Sequence, residues 1–63
     1  MYFILFKDTK NQWRWNMNAA NHKIIATSGE GYFNRQDAIH GINLVKTNAS
    51  TATVYDKTVE QWI

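Results

Sequence analysis

Cysteine is absent from this chain of 63 residues, and only two histidines are present. Without thiols the chain forms neither a disulfide nor a thiolate zinc site, and two histidines alone do not complete a zinc site. A domain of this length buries only about 60% of the surface that its unfolded chain exposes, so its core is marginal. We therefore expect a second protein chain to supply the missing stability.

No apolar run approaches the roughly 18 residues that a membrane-spanning helix needs. The run Met-Tyr-Phe-Ile-Leu-Phe at the start is short for a signal peptide, and Lys7 and Asp8 follow it instead of a cleavage site. With 44% hydrophobic residues, the composition is that of a folded protein. We expect a soluble protein of the cytoplasm that does not contact membranes.

Motifs for catalysis or cofactor binding are also missing. The five carboxylates fall at turns, a helix start, a strand end and the tail, with no pair placed for acid–base chemistry. No serine lies in a Gly-x-Ser-x-Gly context, and the glycines at Gly29 and Gly31 lack the lysine of a phosphate loop. We expect no enzyme and no catalytic, cofactor or metal site. A net charge of +2, with basic residues spread along the chain, argues against a nucleic-acid partner.

Three strands are predicted in the first half of the chain. Tyr2–Lys7 is rich in aromatic and β-branched residues, and Gln12–Ala19 alternates between two faces, with Trp15 and Met17 expected in the core. Asn21-His22 predicts a two-residue hairpin turn that needs positive φ, and Ile24–Ser28 returns as the third strand.

The length of the first loop decides which side chains share a face of the sheet. A three-residue loop places Leu5 opposite Trp15, and a four-residue loop reverses the faces; we prefer the former. It leaves Ile4, Phe6 and Arg14 on the uncovered face, with Phe6 close enough to Arg14 for a cation–π contact. This face is the candidate binding surface for a protein or peptide. The alternative occupant is single-stranded nucleic acid stacked on its aromatic rings.

Trp13 lies on the same face as Trp15 but near the strand end. We interpret it as the edge of the core, and a subunit or ligand contact is the alternative.

A helix is predicted from Arg35 to Thr47, with Asn34 as its N-cap and Phe33 packed on Ala38. Its apolar stripe contains Ala38, Ile42 and Val45, with Ile39 at the margin. Gly41, at the edge of this stripe, lets the helix approach the sheet closely. His40 and Leu44 point away from it.

The last part of the chain predicts a fourth strand from Thr51 to Asp56, which needs a sheet edge in its own subunit or in another. The division is a domain at residues 1–57 and a tail at 58–63. The tail ends on Trp62 and Ile63, which either dock on another surface or remain loose. The candidate dimer contacts are Leu44, Thr53, Val54, Tyr55 and Trp62.

One set of residues carries a family resemblance: Arg14-Trp15, Ala19-Ala20-Asn21, Ile25-Ala26, Ser28, Gly31-Tyr32, Ala38, Gly41-Ile42 and Val45. In order and spacing they resemble the YegP-like family of small bacterial proteins. The resemblance covers about residues 3–49. It departs from the family pattern at Asn21-His22, where Asn-Gly is usual, and in a longer bend before Tyr32.

The resemblance implies an α+β fold made of a β(3)-α-β unit, with an antiparallel sheet and one helix packed on one face. Such units work in pairs with exchanged C-terminal strands, and this chain contains one unit. A homodimer is therefore expected, with Thr51–Asp56 paired to the neighbouring subunit. The resemblance implies no biochemical activity, so the expected role is that of a non-enzymatic binding or structural module.

Overall fold

A computed structural model describes residues 1–63, the whole chain. A three-stranded sheet comes first, a helix follows, and a small separate hairpin ends the chain. The elements are β1 (Tyr2–Lys7), β2 (Trp13–Asn18), β3 (Ile24–Thr27), α1 (Arg35–Asn48), a 3₁₀ turn (Ala49–Thr51), β4 (Tyr55–Asp56) and β5 (Gln61–Trp62).

The first sheet is an antiparallel meander in the order β1-β2-β3. Leu5 pairs with Trp15 and Phe3 with Met17, so the register predicted from a three-residue first loop is confirmed. Between β2 and β3 the register shifts after Met17, which leaves Ile25 as an extra residue in β3. The predicted α+β class is confirmed, with one sheet of three strands and one helix beside it.

The first hairpin loop ends on a residue with positive φ. The Asn11 N–H donates to the Asp8 carbonyl at 3.0 Å, and the Asp8 N–H donates to the Gln12 carbonyl at 2.9 Å. Asn11 has φ 62°, the left-handed conformation that closes a three-residue hairpin loop after a type I turn.

The second hairpin loop has the same geometry, so the predicted two-residue turn at Asn21-His22 is wrong. The His22 N–H donates to the Ala19 carbonyl at 2.9 Å, and the Ala19 N–H donates to the Lys23 carbonyl at 2.8 Å. A two-residue turn of type I′ needs positive φ at both central positions, but only His22 (φ 69°) has it. The third residue of the loop therefore absorbs the left-handed conformation.

Helix α1 packs on β2 and β1 through small residues. Ala38 is completely buried. At Gly41 an added Cβ would lie 3.0 Å from the Tyr32 hydroxyl and 3.3 Å from Nε1 of Trp15, so the predicted close approach at this glycine is confirmed. Trp15 is the buried tryptophan of the core, and the ring of Phe3 meets it edge to face at 5.5 Å.

The start of the helix differs from prediction in two side chains. Asn34 occupies the N-cap position as predicted, but its side chain makes no capping hydrogen bond. The Phe33 side chain is 85% exposed, so the predicted packing of Phe33 on Ala38 is wrong. Ala38 is completely buried without a contribution from the exposed Phe33 ring. His40 and Leu44 are exposed, as predicted.

The C-terminal strand is shorter than the predicted Thr51–Asp56. The helix and its 3₁₀ turn continue to Thr51, and only Tyr55–Asp56 forms a strand, paired with Gln61–Trp62. The prediction failed because β-branched composition indicates a strand but not its partner. The hairpin β4–β5 stands apart, since its two strands pair only with each other and no Cα of these strands lies within 8 Å of a Cα in the sheet or in α1.

The molecule is extended as a result. Its radius of gyration is 13.7 Å, and its principal extents are 39 × 26 × 21 Å. A compact domain of this length has a radius of gyration of about 10.6 Å. Only three residues are buried, namely Trp15, Ala38 and Asn18.

Candidate interaction surfaces

The face of the sheet opposite the helix carries the predicted binding residues. Phe6 lies directly across from Arg14 in the β1–β2 ladder, and Ile4 lies two residues before Phe6 on the same face. Ile4 and Tyr2 are exposed, and Phe6 is half-buried. We call the set Tyr2, Ile4, Phe6 and Arg14 the outer face. The structure thus brings the predicted residues together.

Arg14, the charged residue of the outer face, forms an ion pair with Asp8. Nε of Arg14 donates to Oδ2 of Asp8 at 2.6 Å. The other oxygen, Oδ1, accepts from the N–H groups of Lys10 and Gln12 at 2.9 and 3.0 Å. The backbone hydrogen bond from Gln12, followed by the Arg14 side chain, lowers the pKa of Asp8 below its usual value. The predicted Phe6–Arg14 cation–π contact is wrong, since Arg14 binds this carboxylate instead.

At the other end of the outer face, hydrogen bonds between polar side chains link β1 to the second hairpin loop. The Tyr2 hydroxyl and Nδ1 of His22 share a hydrogen bond of 2.6 Å. Nδ2 of Asn18 donates to the His22 carbonyl at 3.1 Å, while the buried Oδ1 of Asn18 has no partner. This contact was not predicted from sequence, because it depends on the side-chain directions that the second loop imposes.

A second aromatic site lies at the other end of the sheet, around Trp13. Nζ of Lys7 is 5.0 Å from the centroid of the Trp13 ring, and Cζ of Arg35 is 5.9 Å from it. The ring is half-buried, as predicted for the edge of the core. We call Lys7, Trp13 and Arg35 the tryptophan clamp. Sequence reasoning identified Trp13 but missed both cations, although the preferred register already placed Lys7 opposite Trp13.

Beside the tryptophan clamp, Tyr32 connects the sheet to the helix. Two backbone hydrogen bonds of 2.8 Å join Tyr32 to Trp13 as an isolated bridge. Burial, with the nearby carboxylate of Glu30, raises the pKa of the Tyr32 hydroxyl. The hydroxyl lies beside Nε1 of Trp15, which has no partner in good hydrogen-bonding geometry. The Tyr32 side chain therefore packs between Trp15 and Gly41.

The C-terminal hairpin exposes its apolar side chains. The rings of Tyr55 and Trp62 meet edge to face at 5.1 Å, and the Ile63 N–H donates to the Val54 carbonyl at 2.9 Å. Trp62 is nevertheless 69% exposed and Ile63 76% exposed. The hydrogen bonds that Thr58 donates to Asp56 lower the pKa of that carboxyl group. The predicted dimer contacts, with Leu44 and Thr53 included, all lie on the surface.

The structure forms no pocket and contains no group of three residues suited to a metal ion. None of its helices has the length and apolarity needed to span a bilayer.

These features define a class, that of small α+β proteins in which one helix packs on a three-stranded antiparallel sheet and a C-terminal extension is exposed. The chain belongs to the YegP-like family, since residues 8–56 match the model of the domain of unknown function DUF1508. The predicted resemblance is confirmed.

The relatives carry no assigned activity in their names. A UPF0339 protein of Neisseria meningitidis serogroup B is 44% identical over 54 residues, which are 86% of this chain and 95% of that protein. A UPF0339 protein of Treponema denticola is 35% identical over 54 residues, 86% of this chain and 91% of that protein. The NMR solution structure of a protein from Haloferax volcanii matches with a TM-score of 0.81 and 42% identity, over 87% of this chain and 92% of that one.

Proposed function

We propose that the protein is a homodimeric, non-enzymatic binding module of the cytoplasm, in which each copy inserts its C-terminal hairpin against the sheet of the other. The observation that carries the proposal is the hairpin β4–β5, which forms a sheet separate from β1–β3 and exposes Trp62 and Ile63. A side chain of this size stabilises a fold only when it leaves water.

The surface area of the isolated chain supports a partner of the same size. Its solvent-accessible surface is 5130 Å². A compact monomer of 7.4 kDa exposes about 4,200 Å². The excess of about 900 Å² is close to the roughly 800 Å² that each partner buries in a standard protein interface. One interface per chain therefore accounts for the excess surface.

The free edge of β3 is the receiving site that we propose for the hairpin. β3 pairs only with β2, and α1 packs on β1 and β2 and leaves β3 uncovered. Ile24 and Ile25 on this strand are 59% and 50% exposed. An exposed edge with apolar side chains is a template for pairing with another strand, and a partner hairpin would cover it.

A longer relative adds a further argument for paired units. A UPF0339 protein of Acinetobacter baylyi is 48% identical over 44 residues, which are 70% of this chain but only 39% of that protein. That protein has room for a second unit of this length. Two units in one chain would be held together covalently, whereas two separate copies would form the same pair of units by association.

The outer face is the working surface that we propose for the dimer, with a protein or peptide as its partner. Exchange of hairpins at β3 leaves Tyr2, Ile4 and Phe6 uncovered. Nucleic acid is the weaker alternative at this face, because Asp8 neutralises Arg14 there. Pull-down with an Arg14→Ala, Phe6→Ala double variant as control tests this surface, and equal capture by both proteins would exclude it.

Sedimentation across a concentration series tests the assembly. We expect a species of twice the 7.4 kDa chain mass at micromolar concentration. A mixture of ¹³C-labelled and unlabelled chains then locates the contact, because exchange predicts intermolecular NOEs from the Trp62 ring to the methyl groups of Ile24 and Ile25. A folded monomer at all concentrations would exclude the proposal, and a dimer without these NOEs would exclude the exchange.

Matched variants separate the interface from general effects of charge. Trp62→Ala removes the central aromatic side chain, and loss of such a residue costs about 2 kcal/mol or more, a rise of about 30-fold in the dissociation constant. Ile24→Asp places a charge on the receiving edge. Thr9→Asp adds the same charge in the exposed first loop and should leave the dissociation constant unchanged.

A further inference from the structure

We propose that the tryptophan clamp, Lys7, Trp13 and Arg35, binds a ligand through its phosphate group. This site lies at the opposite end of β1 from Tyr2 and His22, and it does not depend on the proposed dimer. It is formed by three parts of the chain, namely the end of β1, the start of β2 and the first residue of α1.

The fold fixes the position of all three side chains. Lys7 and Trp13 are the last pair of the β1–β2 ladder, so they lie side by side on one face. The bridge from Trp13 to Tyr32 brings the chain back beside the ring, three residues before Arg35 begins the helix. With Nζ of Lys7 at 5.0 Å and Cζ of Arg35 at 5.9 Å from one centroid, the two cations lie at most 10.9 Å apart.

Both cations are free to bind an anion. The Asp8–Arg14 contact is the one ion pair of the chain, so neither Lys7 nor Arg35 has a carboxylate at salt-bridge distance. The nearby acids are otherwise engaged: Asp8 by Arg14, and Asp37 by Nδ2 of Asn34 at 3.4 Å. Glu30 lies near Tyr32 and helps to raise the pKa of its hydroxyl. Two unpaired cations beside one ring repel each other, and a shared anion would relieve that repulsion.

The donor set fits the tetrahedral oxygens of a phosphate. Arg35 offers the planar fork of a guanidinium, Lys7 offers a mobile ammonium group, and their long stems let both reach the same group. The uncapped N-terminus of α1, to which Arg35 belongs, adds positive potential from the helix dipole. Inorganic phosphate, a nucleotide and a single-stranded nucleic acid all carry this group, so the experiment must distinguish them.

NMR titration of the full chain tests the site. Each of the three tryptophans gives one indole N–H signal, and a Trp13→Phe variant assigns that of Trp13. The probes are inorganic phosphate, adenosine monophosphate and an oligothymidylate. We expect a saturable shift of the Trp13 signal that weakens as the salt concentration rises from about 0.01 M to about 0.3 M, because exposed charges are screened.

Charge-matched variants decide whether the tryptophan clamp is responsible. Lys7→Gln and Arg35→Gln should each raise the dissociation constant about tenfold, as expected for loss of a hydrogen bond to a charged group. Lys46→Gln and Lys57→Gln remove the same charge elsewhere and should change it little. Absence of a saturable Trp13 shift below about 10 mM of every probe would overturn the proposal, as would equal weakening in all four variants.

The three probes identify the source of the phosphate once binding is seen. Equal affinity for inorganic phosphate and the nucleotide indicates recognition of the oxyanion alone. Tighter binding of the nucleotide indicates that the base also contacts the protein. If the oligothymidylate binds with a salt dependence steeper than one phosphate contact alone produces, the protein contacts several phosphates of a nucleic-acid backbone.

Discussion

Gly41 controls how closely the helix can approach the sheet, and its replacement by alanine gives a quantitative test of that packing. The new Cβ would lie 3.0 Å from the Tyr32 hydroxyl and 3.3 Å from Nε1 of Trp15, which is closer than ordinary van der Waals contact. Overpacking of a core costs about 1–3 kcal/mol. Alanine gains about 1 kcal/mol over glycine in helix propensity. We therefore expect Gly41→Ala to lower the free energy of unfolding by about 0–2 kcal/mol.

Removal of the nearest atom should reverse this result. In a Tyr32→Phe background the contact at 3.0 Å no longer exists, and the helix can move toward the space left by the hydroxyl. Gly41→Ala should then be at least about 1 kcal/mol less destabilising than in the wild type, which is the signature of coupling between neighbouring residues.

Urea unfolding followed by circular dichroism, at one fixed protein concentration, measures the four proteins of this cycle. His40→Ala is the control, because His40 is exposed on the same helix and should have the same effect in both backgrounds. Equal effects of Gly41→Ala with and without the Tyr32 hydroxyl would refute the argument that this hydroxyl limits the helix–sheet distance.

Substitutions at three further positions test the turns and the core. Asn11 has φ 62° and its side chain makes no hydrogen bond, so thermal unfolding should show that Asn11→Ala lowers stability by about 1 kcal/mol and that Asn11→Gly is tolerated better than Asn11→Ala. The pKa of Asp8 is lowered in the folded state, so its contribution is complete above the unfolded value near 3.8 and is lost as pH falls further. Asp8→Asn should therefore reduce the loss of stability below about pH 4, measured by acid unfolding. Trp15→Ala should cost about 3–5 kcal/mol in urea unfolding and leave much of this small domain unfolded.

Each of these expectations has a clear contrary result. Stabilisation by Asn11→Ala would show that the left-handed residue is not a source of strain. If Asp8→Asn leaves the acid unfolding profile unchanged, the Asp8 carboxylate does not stabilise the first turn. If Trp15→Ala unfolds cooperatively at the same urea concentration as the wild type, the core does not depend on Trp15.

The strands and the helix could be predicted because their signals are local and periodic. The alternation around Trp15 fixed the buried face, and the small residues Ala38 and Gly41 indicated where the helix meets the sheet. The turn at His22 was missed because a type I turn with a left-handed third residue has the same sequence preferences as a two-residue turn. The partner of Tyr55–Asp56 was missed because pairing is a property of the whole fold.

The candidate sites were predicted unevenly for a similar reason. Ile4, Phe6 and Arg14 lie on one face, since face sharing follows directly from register. The ion pair of Arg14 with Asp8 and the approach of Arg35 to Trp13 required the path of the loops, which sequence periodicity does not encode. Long side chains choose among several partners, and only coordinates show which one they contact.

Three residues, Ala52–Val54, join the 3₁₀ turn to the last hairpin. Their length limits how far the hairpin can lie from the end of the helix. Fully extended, three residues span about 10 Å, which is about half the roughly 21 Å length of the 14-residue helix that precedes them. Short hinges of this kind favour exchange between copies, whereas longer ones permit closure within one molecule. The proposed exchange therefore predicts that insertion of a few flexible residues at this point would convert the dimer into a self-contained monomer.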